Sequence, residues 1–145
     1  MKILSKKDFN IVFSKTARVT VDLVIKDERG VLLIKRDIYP DIGTWHLPGG
    51  TVHYKEKILD AVKRKAKEET GLQVKIEKFL GVCEHMKWRS PGYSHIIDLV
   101  FLCKPLKGKL KGDSRYGGEE LKFFKKIPKN LMSVQKAIFQ GKLLK

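Results

Sequence analysis

The chain has 145 residues, which suits one compact domain with its own core. Hydrophobic residues make up 42% and charged residues 32%, which excludes a disordered polar chain. No apolar run approaches the roughly 18 residues needed to span a bilayer, so no membrane role is expected.

The net charge of +15 comes from 31 basic and 16 acidic residues and favours an anionic partner. Of the basic residues, 25 are Lys and 6 are Arg. Arg is the better bidentate reader of phosphate, so this surplus reads as a solvated surface before it reads as a recognition patch. A nucleic-acid partner stays open and is not favoured. The N-terminus MKILSKKDFN carries no apolar signal core, and Cys83 and Cys103 form no CxxC. A cytoplasmic protein with two reduced core thiols is expected.

In chain order, residues 5–15 suggest a short helical lead-in with Phe9, Val12 and Phe13 on one side. Residues 17–26 alternate, with Val19, Val21, Leu23 and Ile25 on one face and Arg18, Thr20 and Asp22 on the other, as in a strand. The turn DERG leads to a second strand, 30–36, expected to pair with the first as a hairpin. Residues 37–45 read as a loop, and LPGG (47–50) as a sharp turn. A helix is expected from about 55 to 70, with Ile58, Leu59, Val62 and Ala66 as its buried stripe and Gly71 as a left-handed cap. Strands follow at 73–85 and 94–103, then a Lys/Gly loop at 104–118 and a last strand at 119–126; a strand end at the start of that loop stays open, and the loop reads as solvated before it reads as a cover for an anionic substrate. A C-terminal helix from Pro128 to about Gln140 would be capped by Asn130, with Leu131, Val134 and Ile138 on its apolar face. The expected fold class is α/β, a single domain with a mixed sheet and helices on its faces.

On a helix, positions 65, 68 and 69 are neighbours. Glu68 and Glu69 on one face repel unless a cation joins them. Mg²⁺ commonly takes one or two carboxylates with waters and substrate phosphates. The glycine turn at Gly49–Gly50 can bring backbone carbonyls to the same point. The spacing Gly50, five residues, Glu56, seven residues, Arg64, then Glu68, Glu69, Gly71 and Leu72 resembles the Nudix box, G-x5-E-x7-R-E-U-x-E-E-x-G-U. One fixed position departs, Lys65 standing for the first Glu of the R-E pair, and Ala66 fills an aliphatic slot.

The resemblance implies a sheet sandwiched between helices, with the box as a loop–helix–loop. It also implies Mg²⁺-dependent hydrolysis, with Mn²⁺ able to substitute, of a nucleoside diphosphate linked to another moiety. Glu68, Glu69 and the Gly50 carbonyl match metal-binding positions, and Glu120 is a further candidate ligand. Residues 4–103 look like a Nudix subgroup, the GDP-mannose mannosyl hydrolases, which also lacks the acid at position 65 and uses one metal. Its members release the sugar and an intact nucleoside diphosphate. That resemblance makes His95 the candidate general base, Asp22 and Arg36 substrate-binding, Arg64 both substrate-binding and neutralising toward the leaving group, and Glu69 the catalytic metal ligand. Thr51 stands where the subgroup has an Arg, and Glu68 is retained, which favours ordinary diphosphate cleavage. Lys65 cannot act as ligand or base while protonated, and it either opposes further metal ions or points outward. His85 is a weaker candidate base. Trp45, Trp88 and Tyr93 flank loops, where packing and stacking on a base are both open. The rival enzyme reading is a diphosphatase cutting P–O bonds. The non-enzyme reading is a Nudix-fold module that binds RNA or nucleotides. Family members often form homodimers, but no segment marks an interface.

Overall fold

The computed structural model describes residues 4–39, 41–86 and 94–144. Ser5 caps α1 (Lys6–Phe13), its hydroxyl accepting from the Asp8 N–H at 3.1 Å. Phe9 and Phe13 meet edge to face at 4.9 Å. The apolar side is weaker than expected, because no residue of α1 is buried and Val12 is exposed.

Strands β1 (Arg18–Asp27) and β2 (Gly30–Lys35) form the expected hairpin, but only through Lys26↔Val31 and Asp27↔Gly30. Beyond those pairs they part. β1 takes β4 (Gly49–Thr51) antiparallel and β6 (Ile96–Gly108) parallel, while β2 takes β3 (Trp45–His46) and β7 (Leu121–Phe124). β5 (Leu72–His85) lies antiparallel on β6 at the far edge. Among the described residues the connected sheet has seven strands.

One face packs against α2 (Ile58–Thr70), which meets Val21, Leu23 and Ile25 with Ala61, Val62 and Ala66. The other carries Val24, Leu33, Trp45 and Val100 beneath Leu131 and Ile138 of the C-terminal segment. Burying Leu23 or Ile25 contributes about 1.5–3 kcal/mol each. With both faces covered, β1 is buried on both, so the polar face holding Thr20 and Asp22 is inside, while Val19, expected on the apolar face, is exposed. The mixed sheet between helices is the expected fold class.

Three expectations need correction. First, α2 begins at Ile58 because Lys55 takes φ +61° and the chain there closes a turn, the Glu56 N–H donating to the His53 carbonyl at 3.0 Å. Its buried face is Ala61, Val62, Lys65, Ala66, Glu69 and Thr70, and Ile58 and Leu59 are exposed. Second, β6 runs to Gly108, taking in residues read as loop, because Lys104, Pro105 and Lys107 still pair with Lys75, Val74 and Gln73 of β5 across a bulge at Leu106. Third, the long C-terminal helix is a 3-10 turn (Ser133–Gln135) followed by α3 (Lys136–Phe139). Trp45 donates its N–H to the Asn130 carbonyl, and its carbonyl accepts from the Met132 N–H. That bridge holds Leu131 beside Trp45, and the Asn130 amide donates to the Gly43 carbonyl at 3.4 Å, so Asn130 caps no helix. Gly71 does close α2 at φ +76° as expected. No helix among the described residues is long and apolar enough to cross a membrane.

Candidate functional site

The carboxyl end of α2, the β4 turn and the polar side of β1 and β6 enclose a cavity of about 300 Å³. Arg18, Arg36, Lys65 and Arg115 line it, with Asp22, Glu69 and Asp98 between them.

The box divides between two tasks. Arg64 gives Nε and Nη2 to Glu56 at 2.7 and 3.0 Å, Nη1 to Glu68 at 3.0 Å and Nη2 to the Thr51 carbonyl at 2.9 Å. Glu56 also accepts the His53 N–H at 3.0 Å. The Arg64 guanidinium holds the Glu56 carboxyl below its ordinary range. These bonds tie the loop to the helix, and Arg64 and Glu68 are not among the cavity's lining residues.

Glu69 is buried, and Oε2 accepts the Gly49 N–H at 2.5 Å. Burial pushes its carboxyl up to about 7, against the opposing pull of the Lys65 ammonium and the Gly49 N–H. Lys65 does not point outward. It is 7% exposed, with Nζ 3.2 Å from Glu68 Oε2 and 3.5 Å from Glu69 Oε1. Gly50 makes room for it, since a Cβ there would come within 2.8 Å of Lys65 Cε.

Asp22 and Asp98 form the floor. The Gln135 amide donates to Asp22 Oδ2 at 2.9 Å and the Thr20 hydroxyl to Asp98 Oδ1 at 2.8 Å. Burial, then the Asp98 charge, raises the Asp22 carboxyl well above its ordinary range, and burial raises Asp98 too. Two carboxyls buried this close oppose each other's ionisation.

Burial, then the Arg36 charge, pushes the His46 imidazole down to about 4. Its Nδ1 lies 2.8 Å from the Leu47 carbonyl, which can only accept, so Nδ1 carries the hydrogen and Nε2 the lone pair. Thr51 Oγ1 accepts from Arg18 Nη1 at 2.9 Å. A guanidinium therefore reaches the position where the subgroup has its Arg, delivered from β1 instead.

Of the residues expected at the site, Asp22, Arg36, Gly50 and Glu69 line the cavity. His95 does not; its Nε2 lies 3.4 Å from Glu84 Oε1, while its neighbour Ile96 and the weaker candidate His85 are lining residues. Burial lowers the His85 imidazole. Glu120 stands apart, 3.7 Å from the Lys35 ammonium with its side chain 60% exposed. Trp45 is core, packed edge-on against Phe124 at 4.8 Å. Trp88 and Tyr93 lie outside the described residues. Arg18, His46, Asp98, Arg115, Tyr116 and Gln135 also line the cavity and were not singled out from sequence. Asp98 had a readable signal, an acid inside the apolar run IIDLVF.

These residues do not fit a cluster of ions held by the protein alone. Among the described residues no three His, Cys, Asp or Glu side chains are grouped to hold a metal. The gap between Glu68 and Glu69 is filled by an ammonium.

The NUDIX domain matches residues 16–142. The chain is 45% identical over 78 residues to the low-salt glycan biosynthesis protein Agl8 of Haloferax volcanii, covering 54% of this chain and 50% of that one. It is 39% identical over 123 residues to the ADP-ribose pyrophosphatase of Methanocaldococcus jannaschii, covering 83% and 70%. The matched region thus spans about half the length of the Haloferax protein. A MutT NUDIX hydrolase from Burkholderia pseudomallei superposes with a TM-score of 0.74 at 28% identity, covering 87% of this chain and 98% of that one.

Proposed function

The chain belongs to the NUDIX domain family, and from that premise we propose that it hydrolyses a nucleotide-sugar to the free sugar and an intact nucleoside diphosphate. GDP-mannose is the first substrate to try. The observation that carries the reading is the charge of the cavity. Four cations line it, while burial holds its three acids above their ordinary range. Such a site favours an anion as large as a diphosphate.

Arg36, Arg115 and Lys65 stand on the side of the β4 turn and α2, where they neutralise charge on a departing diphosphate. The anomeric carbon gains oxocarbenium character as that bond breaks, and water adds to it. His95, oriented by Glu84, is the proposed base for that water, at the rim beside Ile96. Lys65 in the third turn of α2 fits a reaction that takes no carboxylate base from the helix. The Haloferax relative's part in glycan biosynthesis supports a sugar-bearing substrate. Mg²⁺, or Mn²⁺ in its place, is the expected cation and would be carried chiefly by the substrate's phosphates.

A second reading, P–O cleavage of the same class of substrate, is favoured by the relative named ADP-ribose pyrophosphatase and by the absence of His95 from the cavity lining. Incubating a panel of nucleotide-sugars with Mg²⁺ or Mn²⁺ and resolving the products decides. Sugar plus nucleoside diphosphate is the expected result. Nucleoside monophosphate plus sugar phosphate establishes the second reading, and no product across the panel overturns both.

A further inference from the structure

The residue that breaks the box pattern is also the one aimed most directly at its centre. Lys65 lies on the buried face of α2, with its ammonium between Glu68 and Glu69. The Gly50 turn closes on its other side, with Nζ 3.2 Å from where a Cβ at Gly50 would be. The Tyr116 ring lies 5.0 Å from Nζ, within cation–π range. These contacts pin the ammonium. A surface lysine would swing out to water, and this one is 7% exposed.

Charge adds to the geometry. Glu68 and Glu69 face Lys65, and Glu68 also faces Arg64, which Glu56 shares, so both box carboxyls already have a fixed cation beside them before any ion arrives. A divalent ion seeking both carboxylates would have to displace or sit against a like charge.

We propose that the Lys65 ammonium is a cation built into the site: it holds the place between Glu68, Glu69 and the Gly50 turn that a protein-bound divalent ion would need, and it presents its charge to the diphosphate of the ligand. The diphosphate half of this rests on the nucleotide-sugar reading, whereas the ion half stands on geometry alone. The substrate-free chain therefore holds divalent ions weakly, and an acid at position 65 creates a site.

The test is a titration of the substrate-free full chain with Mn²⁺, following free Mn²⁺ by electron paramagnetic resonance, for wild type, Lys65→Glu and Lys65→Gln. Lys65→Glu is expected to add one ion per chain and to bind Mn²⁺ at least about tenfold more tightly than wild type. Lys65→Gln removes the charge without adding a ligand, and should tighten binding a few-fold. Melting curves establish that each variant is folded, and the near-isosteric Gln variant carries the test if the Glu variant does not fold. Equal ion count and affinity in wild type and the folded variants would overturn the proposal. So would tight Mn²⁺ binding by wild type. In a separate arm with chelator present, inorganic pyrophosphate should bind wild type at least about tenfold more tightly than Lys65→Gln, and equal binding removes the role toward diphosphate. Neither arm requires turnover, so a negative result here is distinct from a negative result in the substrate panel.

Discussion

Arg64 and Lys65 are adjacent on one helix and do opposite things. Arg64 turns toward the loop and binds Glu56, Glu68 and the Thr51 carbonyl, whereas Lys65 turns into the cavity against Glu68 and Glu69. A rotation of about 100° along the helix separates a scaffold from a site. Glu68 touches both cations and couples the two halves. A fixed spacing in a motif therefore marks residues that must be near one another, and it does not say which of them meets the ligand.

That contrast implies that site changes act on ligands and turnover, while scaffold changes act on stability. The largest effect is expected for Glu69→Gln, which removes the one box carboxylate that lines the cavity and would meet the substrate's Mg²⁺, with turnover falling about 10²–10³-fold. The same variant should be more stable than wild type at pH 8 and no different at pH 4.5. The folded carboxyl is raised to about 7, so its contribution is fully present below the unfolded value and lost as the pH rises through 7. Urea unfolding at the two pH values checks this.

His46 titrates in the opposite sense. Its folded value of about 4 lies below the ordinary 6.5, so the stability of the neutral ring is present above pH 6.5 and lost as the pH falls through 4. Between pH 7 and pH 4, wild type should lose about 3 kcal/mol more than His46→Asn, at 1.36 kcal/mol per pH unit. Glu69, Asp22 and Asp98 titrate in both proteins and cancel from the difference. Equal losses would show that His46 does not sense the acid.

On the scaffold side, Arg64→Ala leaves the Glu56 carboxylate without its guanidinium and should cost about 2 kcal/mol in urea unfolding. Arg64→Lys should restore less than half, because an ammonium cannot reproduce the fork. If Arg64→Ala keeps full stability and instead abolishes pyrophosphate binding, the division between the two residues is wrong. At the rim, His95→Gln should lower turnover at least about tenfold and leave Mn²⁺ affinity unchanged. An unaltered pH–rate profile would move the base to another residue, His85 being the nearest in the lining.

Much of the molecule was legible in the sequence. The spacing from Gly50 to Leu72 placed the turn, the helix and its glycine cap, because each of those residues has a local backbone reason to be there. Val62 and Ala66 of the expected stripe of α2 are buried, and what failed was its first turn. Counting apolar letters picked Ile58 and Leu59, yet the helix buries Lys65 and Glu69, which pay their desolvation through each other and the Gly49 N–H. Alternation marked Thr20 and Asp22 as the polar face of β1 but carried no sign of the second layer that covers it, because alternation says nothing about what lies above a strand. The long C-terminal helix was a sound local pattern overridden by the bridge from Trp45. Tyr116 and Arg115 come from a Lys/Gly-rich stretch whose composition favoured a solvated loop over one closing on an anionic substrate, and long-range packing brings them to the cavity.

The account turns on which bond breaks, and running the hydrolysis of the accepted nucleotide-sugar in ¹⁸O-labelled water reads that directly. Attack at the anomeric carbon, as proposed, puts the label in the released sugar and leaves the nucleoside diphosphate unlabelled. Label in a phosphate product would contradict it and assign the chain to P–O cleavage.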